Sequence, residues 1–202
     1  MFLISDETYE HLVYDGPSPL SPASIEGMRD RVISVFSFSK KYAMTGWRVG
    51  FVAASAEVMA QLMKVHDSAV ICAPTPSQLA ALAALTGPQE VVIEMRRILT
   101  ERRELICRRL NRLDGAFSYI KPQGAYYLMA RYLFTDEPAW DLAVRLINEA
   151  KVITVPGDSF GPGGQGHLRL SFGGDAAELN EAFDRLENWL QSHFPGNPSN
   201  RR

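Results

Sequence analysis

The sequence has few cysteines, few histidines and almost no net charge, and each scarcity excludes a class of protein. A formal net charge of −2 gives no global attraction to nucleic acid or to an anionic membrane surface, so neither is predicted as a partner. Cys72 and Cys107 form no CxxC or Cys/His spacing. We therefore predict no metal site, and we interpret both as reduced core residues of a cytoplasmic protein.

Long apolar runs are also missing. No stretch approaches the roughly 18 residues that a membrane-spanning helix needs. The N-terminal residues MFLISDET lack both the basic region and the apolar length of a signal peptide. The composition, 46% hydrophobic and 22% charged, is instead typical of a globular chain, and the length suffices for one large domain or one and a half small ones.

Three runs of β-branched and aromatic residues near the N-terminus predict strands: Met1–Ser5, Val32–Phe38 and Trp47–Ala54. The second link, Ser39–Gly46, is shorter than the dozen or so residues that a parallel crossover requires, so the second and third strands are predicted to be antiparallel. The first link is long enough for a crossover, so the first and second strands can be parallel.

Helical periodicity dominates the middle of the chain. Helices are predicted after Ser55 and after Pro76, and the longest apolar period, Val91–Leu113, predicts a helix of about 37 Å. A helix of this length is suited to joining two domains. Its basic stretch, ILTERRELICRRLNRL, contains acidic residues at helical spacing, which predicts a solvated helix face.

The remaining residues alternate between strand and helix patterns. Strands FSYIK and AYYLMA flank a turn, and a helix from Asp136, strand VITV, a glycine-rich loop, strand HLRLSF and a final amphipathic helix follow. This order indicates a small α+β domain. The predicted fold class is therefore α/β, with an α/β piece at residues 1–87 and an α+β domain at residues 88–202 that begins with the long helix.

The chemistry concentrates around SFSKKYAMTGWRVG, residues 37–50. Asp6 ends the first predicted strand and Lys40 follows the second, so parallel strands would bring both to one carboxyl edge, where open α/β sheets bind ligands. Ser37, Ser39 and Arg48 add the hydroxyls and guanidinium that bind a phosphate monoester. A lysine, an acid and a phosphate cradle together predict a site for pyridoxal phosphate.

Each of these residues also has a purely structural interpretation. Asp6 can cap a turn, since Ser-Asp-Glu-Thr is good capping chemistry. Tyr9 can pack at a rim, Arg48 can pair across strands, and Arg169 can be an ordinary strand-surface residue. The remaining candidates are interpreted as structural or solvent-facing: Glu7, Lys41, His11, His66 and His167.

Four segments, in order, resemble the class I/II aminotransferases, the aspartate aminotransferase family of fold-type I pyridoxal phosphate enzymes. These are SDETY, SFSKKYAMTGWRVG, PQGAYYLM and VPGDSFGPGGQGHLRLSFG. The resemblance implies that residues 1–87 are part of the large-domain sheet bearing the lysine. In the family pattern the Schiff-base lysine follows a serine and precedes the arginine of Gly-Trp-Arg by eight positions. Lys40 satisfies both conditions and Lys41 satisfies neither.

The resemblance also implies roles for the other residues. Asp6 would pair with the pyridine nitrogen, and Tyr9 would donate to the phenolic oxygen. Ser37 and Arg48 would hold the phosphate, with Ser39 a further candidate. The family's carboxylate-binding arginine corresponds to Arg169.

Members of this family carry roughly as much chain again before the strand that here ends at Asp6, so the sequence is expected to be a C-terminal half. The implied reaction is amino-group transfer from an amino acid to a 2-oxo acid, by a homodimer when full length. Two alternatives stay open: a pyridoxal-phosphate-dependent lyase or synthase of the same fold, and a catalytically inactive fragment.

Overall fold

The computed structural model describes residues 1–113 and 115–195. The chain divides into two compact units, Met1–Arg96 and Arg97–Arg202. The division along the chain falls within the long helix, whereas the sequence places the domain boundary just before that helix. The assignment of residues 1–87 and 88–202 to two domains stays a prediction.

The first unit is built on a three-stranded sheet. Strands β1 (Leu3–Asp6), β2 (Val32–Ser37) and β3 (Gly50–Ala53) lie in the order β1-β2-β3. β1 pairs with β2 in parallel, and β2 pairs with β3 antiparallel. The antiparallel pairing predicted from the short second link is confirmed, and the parallel pairing that the longer first link allowed is also present. Gly50 allows the close approach of β2 and β3, because a Cβ there would lie 2.5 Å from the carbonyl oxygen of Phe36.

Helices follow the second and third strands of this sheet along the chain. The short helix α1 (Phe38–Lys41) comes directly after β2, and α2 (Ala56–Ala69) and α3 (Thr75–Thr86) come after β3. A small core forms where Phe38, Met44 and Ala81 pack together. This core packs α1, which carries Lys40 and Lys41, against α3.

Much of the apolar surface in the first unit is exposed. Ile4 in β1 is 71% exposed, every residue of β3 is exposed, and α2 has no buried residue. An amphipathic helix normally buries its apolar face, since that burial supplies most of its stability in a folded protein. The first unit therefore has a large apolar surface and a small core.

The second unit is a four-stranded antiparallel sheet packed with helices. The strands are β4 (Phe117–Tyr119), β5 (Tyr127–Tyr132), β6 (Val155–Pro156) and β7 (His167–Ser171), in the order β4-β5-β7-β6. The helices are α5 (Ala139–Arg145), α6 (Ala176–His193) and the long α4 (Glu90–Arg112), which belongs to this unit from Arg97 onward. A π-helical turn lies at Leu146–Ala150. The predicted strand VITV is mostly wrong, because only its last residue, Val155, pairs with β7.

The second unit contains a much larger core than the first. Its fully buried side chains come from helices and strands alike, including Ile106, Leu128, Leu142, Leu168 and Leu190. Burying a side chain of this size stabilises a fold by roughly 1.5–3 kcal/mol relative to exposure. The α+β interpretation of this part of the chain is confirmed by its sheet and helices.

The basic stretch of α4 is not a uniformly solvated face, so that prediction was wrong. Arg103 is 3% exposed and donates to the carbonyl oxygen of Pro122 at 3.1 Å. Arg109 is also buried, where it pairs with Asp184 at 2.5 Å and lies over the ring of Phe183 on α6. These arginines are buried because α6 and the Pro122 turn supply acceptors for their N–H groups.

Both cysteines are free thiols. Cys107 is buried as predicted, and burial raises the pKa of its thiol. Cys72 is exposed, so its assignment to a core was wrong. It lies in the turn between α2 and α3, where Val70 and Ile71 are exposed as well. Among the described helices, none is both long enough and apolar enough to cross a membrane.

Candidate functional site

The parallel pairing of β1 and β2 brings their carboxyl ends to one edge of the sheet. Asp6 is the last residue of β1, and Lys40 lies in α1, immediately after β2. The Lys40 Nζ atom lies 5.9 Å from the centroid of the Tyr9 ring. Two of the predicted site residues, from segments 31 positions apart in the printed sequence, are thus neighbours in the fold.

Asp6 also forms a local turn. Its Oδ1 atom accepts hydrogen bonds from the backbone N–H of Thr8 at 3.1 Å and from the Thr8 hydroxyl at 2.5 Å. Asp6 therefore does cap a turn, as its structural interpretation states. The turn uses one carboxylate oxygen, Oδ1. No described residue pairs with the other oxygen, which therefore remains for a ligand.

The two lysines of α1 lie beside different aromatic rings. The Lys41 Nζ atom lies 5.1 Å from the centroid of the Tyr42 ring, whereas Lys40 lies near Tyr9. The Tyr42 hydroxyl donates to Gln89 Oε1 at 3.0 Å. Successive residues in a helix point about 100° apart. Lys40 is therefore the lysine that lies beside Tyr9, three residues after the end of β1, although the charge of Lys41 also acts on His11.

Ser37 ends β2 and caps α1. Its Oγ atom accepts a hydrogen bond from the backbone N–H of Ser39 at 3.2 Å. A serine hydroxyl has one proton to donate besides its acceptor lone pairs, so this cap leaves the Ser37 hydroxyl proton able to bind a phosphate oxygen. Ser39 is held close by the same bond, as the prediction of a phosphate cradle requires.

Arg48 has an unusual backbone conformation for a residue with a side chain. Its φ is +51° and its ψ is +49°, in the left-handed region, and Ala43 at the other end of this segment has φ +54°. Such conformations cost of order 1 kcal/mol each and concentrate at functional sites. The Arg48 Nη1 atom donates to the carbonyl oxygen of Thr45 at 2.9 Å. In the described part of the chain no carboxylate pairs with Arg48, so the alternative interpretation, in which Arg48 pairs across strands, finds no ion pair there.

His11 lies close to this edge, and its imidazole favours the neutral form. Burial lowers the pKa of its imidazole below the usual 6.5, although the Glu10 carboxylate, 2.8 Å from the ring, opposes the shift. A lowered pKa favours the neutral ring at pH 7. A neutral His11 ring adds little positive charge near Lys41, whose own charge also lowers the pKa of His11.

Arg169 belongs to the second unit, on β7. Its Cζ atom lies over two aromatic rings, 4.4 Å from the centroid of Tyr127 and 4.6 Å from that of Phe160. Arg169 is therefore not an ordinary strand-surface residue. Sequence reasoning missed both rings. The contact with Tyr127 could have been predicted once the register of β5 and β7 is known, because strand alternation places Tyr127 on the same face of the sheet as Arg169.

No metal centre is found at this edge or elsewhere in residues 1–113 and 115–195. No group of three or more histidine, cysteine, aspartate or glutamate side chains there has the arrangement needed to hold an ion. The chemistry available at the edge is instead an amine, a carboxylate, a phenol, hydroxyls and a guanidinium. These groups fit the ring nitrogen, phenolic oxygen, aldehyde and phosphate of pyridoxal phosphate.

Comparison with known proteins identifies similar chains. The family model described as aminotransferase class I and II matches residues 1–186. The aromatic-amino-acid aminotransferase 2 of Thermococcus litoralis and the aspartate aminotransferase of Pyrococcus abyssi are each 39% identical to this chain, over 95% of it and 49% of their own length. The chain thus spans about half the length of the curated relatives it matches.

Solved structures show the same fold. The crystal structure of an aromatic aminotransferase from Pyrococcus horikoshii OT3 superposes with a TM-score of 0.89 at 38% identity, covering 95% of this chain and 52% of that one. The aspartate aminotransferase from Rhizobium meliloti superposes with a TM-score of 0.83 at 33% identity, covering 92% of this chain and 48% of that one. The predicted fold class is confirmed.

Proposed function

The chain belongs to the class I and II aminotransferases, and on that premise we propose that it supplies the cofactor lysine and a substrate-binding arginine to an enzyme that transfers an amino group from an amino acid to a 2-oxo acid. The observation that carries this proposal is the meeting of Lys40 with Tyr9 beside the carboxyl end of β1, where Asp6 lies. Both of these relatives are named as aminotransferases, which favours amino-group transfer over a lyase or synthase reaction.

Pyridoxal phosphate, when bound, supplies a ring that withdraws electrons from the substrate α-carbon. Lys40 would hold the cofactor covalently through its amine. When that amine is free, it would take the proton from the substrate α-carbon as a general base and return it as a general acid. The Asp6 carboxylate would hold a proton on the ring nitrogen, and the Tyr9 hydroxyl would donate to the phenolic oxygen.

The phosphate and the substrate are held by other residues. Ser37, Ser39 and Arg48 bind the phosphate oxygens with hydroxyl and guanidinium donors, which form short charge-assisted hydrogen bonds. Arg169 binds the substrate α-carboxylate with paired N–H donors. At the length of its relatives, the enzyme is proposed to be a cytoplasmic homodimer, and the two free thiols are compatible with a reducing compartment.

A chimera provides the test, because it restores the length of the relatives. The chain replaces the matching half of the Thermococcus litoralis relative, and the purified protein is loaded with pyridoxal phosphate. Given an amino acid and no acceptor, an aminotransferase releases one equivalent of 2-oxo acid and no ammonia. Continued turnover with free ammonia would instead assign a lyase, and no 2-oxo acid at all would contradict the proposal.

Asp6→Asn tests the charge of Asp6 separately from its turn. Asparagine retains an Oδ1 acceptor for the two hydrogen bonds from Thr8, so the turn is preserved while the carboxylate is lost. We expect turnover by the chimera to fall about a hundredfold, as for loss of a preorganised electrostatic contact, with little change in cofactor retention. Normal turnover with lost cofactor would show that Asp6 is only structural.

Arg48→Ala is expected to give the opposite pattern. A hydrogen bond to a charged group contributes about 2 kcal/mol, which is roughly a thirtyfold change in dissociation constant. The chimera should therefore lose cofactor on dialysis and recover turnover when excess pyridoxal phosphate is added. Arg48→Lys, which keeps the charge, should lie between the two. If Arg48→Ala retains cofactor as tightly as the native residue, Arg48 does not bind the phosphate.

A further inference from the structure

Arg169 is held by two aromatic rings, and we infer that Tyr127 and Phe160 are positioning residues that orient its guanidinium for a substrate carboxylate. This inference rests on the proposed function, in which Arg169 binds that carboxylate. The Arg169 Cζ atom lies 4.4 Å from the Tyr127 ring centroid and 4.6 Å from the Phe160 ring centroid. Both distances are well within the roughly 6 Å at which a cation and an aromatic face attract each other.

Strand register places the first ring. On the antiparallel pair β5 and β7, Met129 is opposite Arg169 and Tyr127 is opposite Ser171. Tyr127 is therefore the diagonal neighbour of Arg169 on the same face of the sheet, a spacing that long and aromatic side chains can bridge. A slip of one residue would move Tyr127 to the other face and remove the contact.

The glycine-rich loop places the second ring. Phe160 ends the short 3-10 turn Gly157–Phe160, and Gly161 follows with φ +106°, a conformation that favours glycine. The backbones at Gly157 and Gly164 lie in close contact. A Cβ on Gly164 would lie only 2.0 Å from the carbonyl oxygen of Gly157, so no side chain fits there. The loop is thereby closed, and Phe160, although 52% exposed, lies over Arg169.

The rings leave the donors of Arg169 for a ligand. In the described residues no carboxylate pairs with Arg169, so no protein anion competes for its N–H groups. Aromatic contacts restrict rotation of the long side chain without using those donors, since they attract the cation through the ring face. A restrained guanidinium loses less conformational entropy when it binds a carboxylate with two hydrogen bonds, which strengthens binding.

The first measurement detects the two rings directly. In the full chain with isotope-labelled arginine, the Arg169 side-chain N–H signal is expected to be shifted by the ring currents of its neighbours. Phe160→Leu and Tyr127→Leu should each move that signal toward the position of an exposed arginine. Trp140→Leu is the matched control, because it removes an exposed aromatic side chain from α5. An unshifted Arg169 signal in the native chain would overturn the inference.

The second measurement reports binding of a carboxylate. Titration with pyruvate should shift the Arg169 signal, and pyruvamide, which lacks the carboxylate, should not. Phe160→Leu should weaken pyruvate binding about fivefold, and Trp140→Leu should leave it unchanged. Equal pyruvate affinity in native and Phe160→Leu chains would overturn the positioning role. Ring-shifted signals with no response to pyruvate in any form would instead overturn the carboxylate role of Arg169 in the proposed function.

Discussion

Lys40→Ala in the chimera is expected to abolish amino-group transfer, lowering turnover by about four orders of magnitude, whereas Lys41→Ala should retain most of it. In the proposed function Lys40 would supply both the covalent bond to the cofactor and the amine that moves the α-proton, so its loss would remove two functions at once. Lys41 lies over the Tyr42 ring instead, and neither function is proposed for it. The measurement is initial turnover at saturating substrate and cofactor.

Two controls follow. The first tests whether the amine itself, and not only its charge, is required, and the second tests which lysine binds the cofactor. Lys40→Arg keeps a positive charge but has no amine that can lose a proton at neutral pH, so it should be as inactive as Lys40→Ala. Borohydride reduction of the loaded chimera, followed by peptide mapping, should find the pyridoxyl adduct on Lys40. An adduct on Lys41 would show that the lysine was assigned wrongly.

Strand pairing in the first unit was predictable because it depends on local chain length. The link between β2 and β3 is too short for a crossover, so these strands had to be antiparallel. The choice between Lys40 and Lys41 was not available from composition, since both follow the same strand. It required the family spacing to Ser39 and Arg48, and the roles of all three residues stay predictions.

Other features depend on partners that lie far apart along the chain. Arg109 was assigned to a solvated helix face because its neighbours in sequence are charged. Its burial depends on Asp184 and Phe183 of α6, which no local pattern reveals. The position of Phe160 likewise depends on closure of the loop between Gly157 and Gly164. Long-range packing decided both outcomes, and local propensity did not.

The strand prediction for VITV failed for a related reason. Its β-branched residues favour an extended conformation, and the segment precedes a true strand residue. Only Val155 and Pro156 reach β7, at the edge of the sheet. Ile153 is exposed and Val152 is buried, so the part of the segment before Val155 contributes a core side chain without belonging to a strand.

The two units of the isolated chain are expected to differ in stability. In the first unit, exposed apolar side chains on β1, β3 and α2 surround a small core. Both β1 and β3 are edge strands of their sheet, and such edges pair readily with other chains. The second unit buries large side chains from α4, α6 and its sheet. Its amides should therefore open only with most of its core.

Hydrogen exchange on the isolated 202-residue chain tests this difference. We expect amides of β1, β2 and β3 to exchange at least about a hundredfold faster than those of β5 and β7, because local opening spans free energies from near zero to the global value. Self-association should accompany it, since large exposed apolar patches promote association. Ile4→Thr, which keeps a β-branched residue on an exposed strand position, should reduce self-association without altering exchange in β5 and β7.

Cofactor binding should follow the same division. Residues proposed to bind pyridoxal phosphate lie in the less stable unit, so the isolated chain is expected to bind it weakly or not at all. Binding only to the folded state reduces the apparent affinity by the fraction folded. The chimera, in which the chain has the length of its relatives, should protect β1–β3 and retain cofactor. Uniform protection of both units in the isolated chain, together with tightly held cofactor, would contradict this prediction, because a unit with so small a core would then build a stable site alone.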